Sequence, residues 1–507
     1  MIGIRNGRFP LSGGWGGIFL AATAFIAISS SPARVYGQTN GTWTSGTGTW
    51  SGTSRWSGGI VAGGTNATAT FTTSGGTATL TSNIVLGNYT TLAVGTSPRT
   101  RINATTAEEI QFATTTGTAP TVTAAGRAEI AAVITGTQGY TKAGTGDLYI
   151  WAPNTYTGVT TISAGRVRLQ SSTSGSGLGA AGAGNGTVVQ SAGTLMLDGA
   201  VTVDAEPLSI SGTGNAGQGS LRQQTGNGIF GGPITATGSA NITANPGTTL
   251  TLSGLINPNS YQLSLGDGGN HNISGGFIGT SGTVNFGGTG AITLSGSSSF
   301  TGTTSVGNAT GLVTMTGYMA GLMDFSPGGA RTLAGTGTFA GGLSMGQNGT
   351  LAPGASDAST DYGTLTASTL NLVNGSVVLG IQDAATYDRI VMTAGSGGLT
   401  LAGANKPQLT LDFANLLPNF SSLQPLNFTG LTGNWQTVSS TGAYAGSWTQ
   451  SGDVWSLENV GTGGLQTLTF NQATGGVAAV PEPSTIVLLG GVAFAASVAC
   501  LRRRIPR

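Results

Sequence analysis

Between Gly144 and Ile162 the chain reads GTGDLYIWAPNTYTGVTTI, and between Gly288 and Val306 it reads GTGAITLSGSSSFTGTTSV. Both segments run in the same order: Gly-Thr-Gly, a short strand, a small polar turn, an aromatic-Thr-Gly, then a second strand ending on an apolar residue. A unit of this kind cannot bury its apolar side chains alone. Stacked on a copy of itself it can, which is the logic of a solenoid. The same pattern of short strands extends in both directions. Leu195-Met196-Leu197, Leu250-Thr251-Leu252, Leu263-Ser264-Leu265, Val377 to Ile381 and Leu409 to Phe413 are short strand-like runs bounded by Gly, Asn, Ser or Asp. Threonine fills many alternate positions, because its branched Cβ favours extended backbone and its hydroxyl tolerates water.

Composition supports this reading. Glycine is 90 of 507 residues and only 7 % are charged, so helix formers such as Glu, Lys and Arg are scarce. Gly and Asn suit corners where φ is positive. A body of this length exceeds what one sandwich usually holds. Between Gln38 and Val480 there are 11 basic and 16 acidic residues, a net charge near −5. The basic residues are far apart in the chain, so nucleic acid is not an expected partner. The one cysteine, Cys500, lies near the C-terminus, and the body therefore has no disulfide.

The two ends are of a different kind. Arg5 and Arg8 precede the apolar run Ile18 to Ile28, and small residues follow. This is the pattern of a secretory signal peptide over 1–37, with the mature chain starting near Gln38. At the other end Pro481-Glu482-Pro483-Ser484 is followed by an uncharged stretch, Thr485 to Leu501, and then by Arg502-Arg503-Arg504. At about 1.5 Å per residue, 485–501 makes a helix just long enough to span a bilayer. The arginines would hold its far end in the cytoplasm.

Two resemblances follow from these residues. The order of motif, apolar helix and basic tail over 481–507 resembles a PEP-CTERM sorting signal. That family implies an exosortase that recognises Pro-Glu-Pro and removes the helix and tail. The stretch from Lys142 through Gly165 resembles the autotransporter-associated β-strand repeat, with a looser copy over 285–313 and a closing module over 331–413. That family implies an all-β, right-handed parallel β-helix over 38–413. Trp43, Trp50 and Trp56 resemble the start of such modules and are expected to form a capping turn. Residues 414–480 are expected to form a β-rich cap and linker. True autotransporters end in a membrane β-barrel. Here a C-terminal transmembrane α-helix is expected in its place.

Residues for chemistry are few. His271 is the single histidine and lies in a Gly/Asn-rich stretch, where a solvated loop position is expected. Glu108 and Glu109 are adjacent, so on a strand they face opposite sides. Asp357 with Asp361, and Asp383 with Asp388, flank turns and could offer oxygens to calcium. The calcium-binding nonapeptide is missing, however, and the repeat resemblance implies that Tyr387-Asp388 is a structural turn. Trp435, Tyr444, Trp448 and Trp455 could stack on sugars if exposed, or could be strand residues covering the solenoid's open end.

No cofactor and no catalytic set is expected. A β-helix enzyme acting on polysaccharide needs Asp, Lys or Arg gathered on one face, and the basic residues look spread out. The expected protein is an exported, non-enzymatic structural or adhesive rod. Its expected partners are signal peptidase and an exosortase during export, the inner membrane transiently through 485–501, and then extracellular polysaccharide or envelope proteins. The alternatives are a polysaccharide-active enzyme on the same fold or an adhesin for a specific partner.

Overall fold

The computed structural model describes residues 37–481, apart from 45, 73–74, 93–98, 116, 174, 176, 308–310, 326–330, 355–360, 394–397, 404–406, 416–421 and 461–465. Residues 1–36 of the proposed signal peptide, Glu482 to Ser484, the expected 485–501 helix and Arg502 to Arg504 lie outside the described residues, as does Asp357.

The described chain is all-β, and its helical elements are four three-residue 3-10 turns. It is a β-solenoid. Each strand pairs in parallel with its equivalent one coil further along, as Leu148 does with Val167 and Leu399 with Leu431. The coils build sheets of 24, 12, 6 and 3 strands, and a separate sheet of 5 strands closes the C-terminal end.

Alternation explains the sections of wall. Thr68–Phe71, Thr249–Leu252 and Thr283–Phe286 each place every second residue inside and leave the intervening Thr or Asn partly exposed. The inward residues stack in columns. Leu263, Val284, Thr304, Met323, Leu343, Leu370 and Leu399 follow one another down one column. All of them are buried. Burying one such aliphatic side chain contributes about 1.5–3 kcal/mol. Each coil thus depends on its two neighbours for its stability.

The corners explain the glycine and asparagine content. Asn66, Asn259, Asn348 and Asn374 have φ between 54° and 67°, a region that Asn tolerates better than most residues. Other asparagines tie one coil to the next. The Oδ1 of Asn88, Asn227 and Asn270 accepts the backbone N–H of Thr121, Thr249 and Ala291, respectively. At one corner glycine is needed for a different reason. Gly232, Gly254 and Gly275 lie one above the other, and a Cβ on Gly254 or Gly275 would sit 2.0 Å from the carbonyl oxygen beneath it.

Both ends are closed. At the N-terminal end Trp43, Trp50 and Trp56 pack edge to face, with centroids 5.0 Å apart for Trp50–Trp56 and 5.2 Å for Trp43–Trp56. Phe71 of the next coil stacks on Trp43. Each indole N–H has a carbonyl acceptor, at Gly46, Ala62 and Trp50. This is the expected capping turn. At the other end the parallel ladders run past Phe413 to Thr437–Gly442, which then pairs antiparallel with Gly446–Ser447. The antiparallel sheet of Thr449–Ser451, Val454–Val460, Gln466–Asn471, Gly476–Pro481 and Ser422–Leu423 covers the end.

Candidate functional site

Residues some twenty to thirty apart in the chain become neighbours about 4.8 Å apart once the coils stack. On the outer face of the large sheet this brings Arg101, Glu129, Tyr149 and Arg168 into register on successive coils, with Met196 and Arg222 beyond. Asp147 stands opposite Arg166 in the adjacent row. The sequence-based expectation that the basic residues are scattered is therefore corrected. Six of the eleven (Arg99, Arg101, Arg127, Arg166, Arg168 and Arg222) share one charged ladder.

The ladder is built around buried carboxylates. Glu129 is fully buried and meets Arg127 at 2.6 Å, Arg101 at 3.4 Å and Arg99 at 3.5 Å. Asp147 holds Arg166 at 2.5 Å and Arg168 at 3.3 Å, and Asp198 holds Arg168 at 2.7 Å. Burial pushes the Asp198 carboxyl up, but the hydrogen bond and charge of Arg168 outweigh this and hold it below its ordinary value. The guanidinium carbons of Arg127 and Arg168 lie 4.2 and 4.7 Å from the Tyr149 ring centre, reaching it from the coils on either side. Burial raises the Tyr149 hydroxyl pKa in spite of both arginines.

Two grooves open on this sheet. One of about 170 Å³ is bounded by Arg127, Thr145, Asp147, Tyr149 and Arg166. Another of about 520 Å³ lies further along and is lined by Asn241, Thr243, Ser264, Asp267, Asn285 and Ser305. The first groove thus has two arginines in its lining, whereas the second has Asp267 as its one charged residue.

The residues singled out from sequence have other places. Trp435, Tyr444, Trp448 and Trp455 are 2, 2, 5 and 5 % exposed. They belong to the C-terminal end cover, where Tyr444 packs on Phe413 and the Trp455 indole donates to Gln472. Sugar stacking on them is corrected accordingly, since their rings are taken up by packing. His271 is also not in a solvated loop. It is 2 % exposed and points inward from Asn270–Ile273. Period-2 alternation back from buried Ile273 carries that signal. Glu108 accepts the hydroxyl of Thr105 and the backbone N–H groups of Thr105 and Thr106, which lower its pKa to about 2. Asp383 accepts the N–H groups of Ala385 and Thr386. Among the described residues no group of three His, Cys, Asp or Glu side chains could hold a metal.

Two further carboxyls are raised to about 7 by burial, Glu206 and Asp388. Each is 3 % exposed, and Glu206 accepts the Thr187 hydroxyl. Asp388 accepts the N–H of Gly363 through one oxygen and that of Gly380 through the other, both at 2.8 Å. It is a staple between coils. Asp388→Ala would leave two N–H groups without this acceptor, and is expected to lower stability by about 3 kcal/mol. Asp388→Asn keeps one acceptor and should lose less. Urea denaturation of the two variants checks the order.

The repeat from Lys142 through Gly165 is likewise structural. The Lys142 ammonium is buried and donates to the carbonyls of Ala143, Gly144 and Ala164, closing a corner across two coils. Burial lowers its pKa to about 8. The Asn154 side chain accepts from the Ile134 N–H and donates to Gly177 O, spanning three coils. Tyr156 packs on Tyr140 and its hydroxyl lies 2.6 Å from that of Thr160.

Comparison with known families matches two segments. Residues 141–169 match the passenger-associated-transport-repeat, and residues 479–504 match the PEP-CTERM protein-sorting motif. No curated protein matches the chain. The second match indicates an exported protein that is sorted to the cell surface with exosortase-dependent processing. In the structure Pro481 is the last residue of Gly476–Pro481, a strand paired with Ser422–Leu423 on one side and Gln466–Asn471 on the other.

Proposed function

We propose that the chain is a non-enzymatic structural or adhesive rod of the cell surface or exopolysaccharide matrix. On this reading the 485–501 segment holds it transiently in the inner membrane until the exosortase releases it. The observation that carries the reading is the sorting motif, whose Pro-Glu-Pro begins at Pro481 on the end of the last strand of a doubly capped solenoid. Removal of the tail would leave the cap strand whole, because Gly476–Pro481 is already fully paired within the cap sheet.

The carboxylates of the outer face support a binding role over a catalytic one. Asp147 and Asp198 are tied to arginines, whereas a general acid must hold a proton near neutral pH. Glu206 and Asp388, which could hold one, are buried in the coil and engaged by protein groups.

Intact mass of the exported protein tests this, compared between cells with and without an active exosortase. Loss of all residues beyond the Pro-Glu-Pro region, only in the active cells, is the expected result. An unchanged C-terminus in both would reduce the tail to a membrane anchor and remove the ground for the matrix assignment.

A further inference from the structure

Charge is uneven along the outer ladder. Asp147 and Asp198 share two arginines, Arg166 and Arg168, and balance them. Glu129 instead gathers three, so two positive charges at that end have no counter-charge in the ladder. The whole face carries six arginines against Glu129, Asp147, Asp198 and Asp267. The rest of the body, Gln38 to Val480, carries five basic residues against twelve acidic ones. The ladder is thus a positive island on an acidic rod.

The island is also organised. Arg127 is held by Nε and Nη2 on one Glu129 oxygen, at 2.7 and 2.6 Å, and lies over Tyr149. Arg101 lies 5.7 Å from the Trp151 ring centre. The Arg101 Nε and Arg168 Nε are buried and make no hydrogen bond among the described residues. The Arg99 side chain remains 51 % exposed at the rim. Guanidiniums fixed in this way lose little freedom when they pair with a carboxylate or sulfate. The 170 Å³ groove begins beside them.

We infer that this end of the ladder binds an anionic polysaccharide. Its acidic groups pair with Arg99, Arg101 and Arg127, and its sugar hydroxyls lie in the groove against Thr145 and Asp147. The inference rests on the matrix function proposed above and names the class of glycan. A glycan suits the face better than a nucleic acid does. Sugar hydroxyls between the acidic groups can donate to Asp147 in the groove, whereas a duplex DNA backbone has no hydroxyl to donate.

The test is binding of the purified exported protein to polygalacturonate, to neutral dextran and to duplex DNA. The parent should bind polygalacturonate, more weakly as salt rises, and should bind dextran and DNA at least tenfold less well. Arg99→Gln combined with Arg101→Gln leaves Arg127 paired with Glu129 and should weaken polygalacturonate binding at least tenfold. Arg99→Glu, a change at an exposed rim position, should weaken it severalfold even if the double variant folds poorly. Arg55→Gln, at the N-terminal end, should change nothing. Equal binding by parent and Arg99→Glu, or DNA bound as tightly as polygalacturonate, would overturn the inference. A parent that is cleaved by the exosortase and retained at the surface, yet does not bind polygalacturonate, would sink the glycan site and leave the proposed function standing.

Discussion

Gly254→Ala is expected to be among the most damaging single-methyl changes in the rod. The new Cβ would lie 2.0 Å from the Gly232 carbonyl oxygen and 2.4 Å from its carbon. Neither atom can move alone, because both belong to the coil below. Separating the coils there would weaken the hydrogen bonds between them, including that from the Ile234 N–H to Leu255 O at 2.9 Å. A loss of about 3 kcal/mol or more is expected, at the upper end for overpacking. Gly307→Ala is the matched control, since its nearest neighbour, Phe286 O, would be 3.7 Å away, an ordinary contact. Coils of a solenoid can open separately. Hydrogen exchange over residues 230–275 should therefore rise in Gly254→Ala before the global urea midpoint shows the full effect. Protection equal to the parent's in that window would contradict the account.

His271→Leu should do the opposite. The imidazole sits in an aliphatic column, directly between Leu250 and Ile292, with Val313, Leu333 and Leu351 following. Its Nε2 is buried without a hydrogen-bond partner among the described residues. Burial lowers its pKa from 6.5 to about 4, partly offset by Asp267 and a hydrogen bond with the Gly269 backbone. Leucine matches the column and removes the unsatisfied nitrogen, a gain of about 1 kcal/mol at neutral pH after loss of the Gly269 bond.

The pH dependence is the sharper test. A histidine whose folded pKa is depressed binds more protons unfolded, so its neutral form supports the fold above pH 6.5. That support is lost as pH falls from 6.5 to about 4. The advantage of His271→Leu over the parent should grow by about 3 kcal/mol across that window. Glu206 and Asp388, raised to about 7, act in the other direction. Their burial costs stability when ionised and is relieved on acidification. They are present in both proteins and cancel in the difference. A constant difference between pH 7 and 4.5, from urea melts, would mean that His271 reaches water.

The class of fold was legible in the sequence. Alternation, glycine corners and the repeated aromatic-Thr-Gly are short-range signals, because a strand needs only its neighbours in the chain to show which face is apolar. The tryptophan turn at Trp43, Trp50 and Trp56 and the turn at Asp388 were expected from the repeat resemblance instead. One reading failed although its signal was local. His271 was judged by its glycine and asparagine neighbours, although its parity with Ile273 placed it inside.

Which outward side chains share a face was settled only when the coils stacked. Coil length varies, from the short step between Leu148 and Val167 to the long one between Leu399 and Leu431. No fixed period in the sequence therefore aligns Arg101, Glu129, Tyr149 and Arg168. Only the hydrogen-bonded register does so, and that register is set by the stacking of buried columns, not by the charged residues that ride on them.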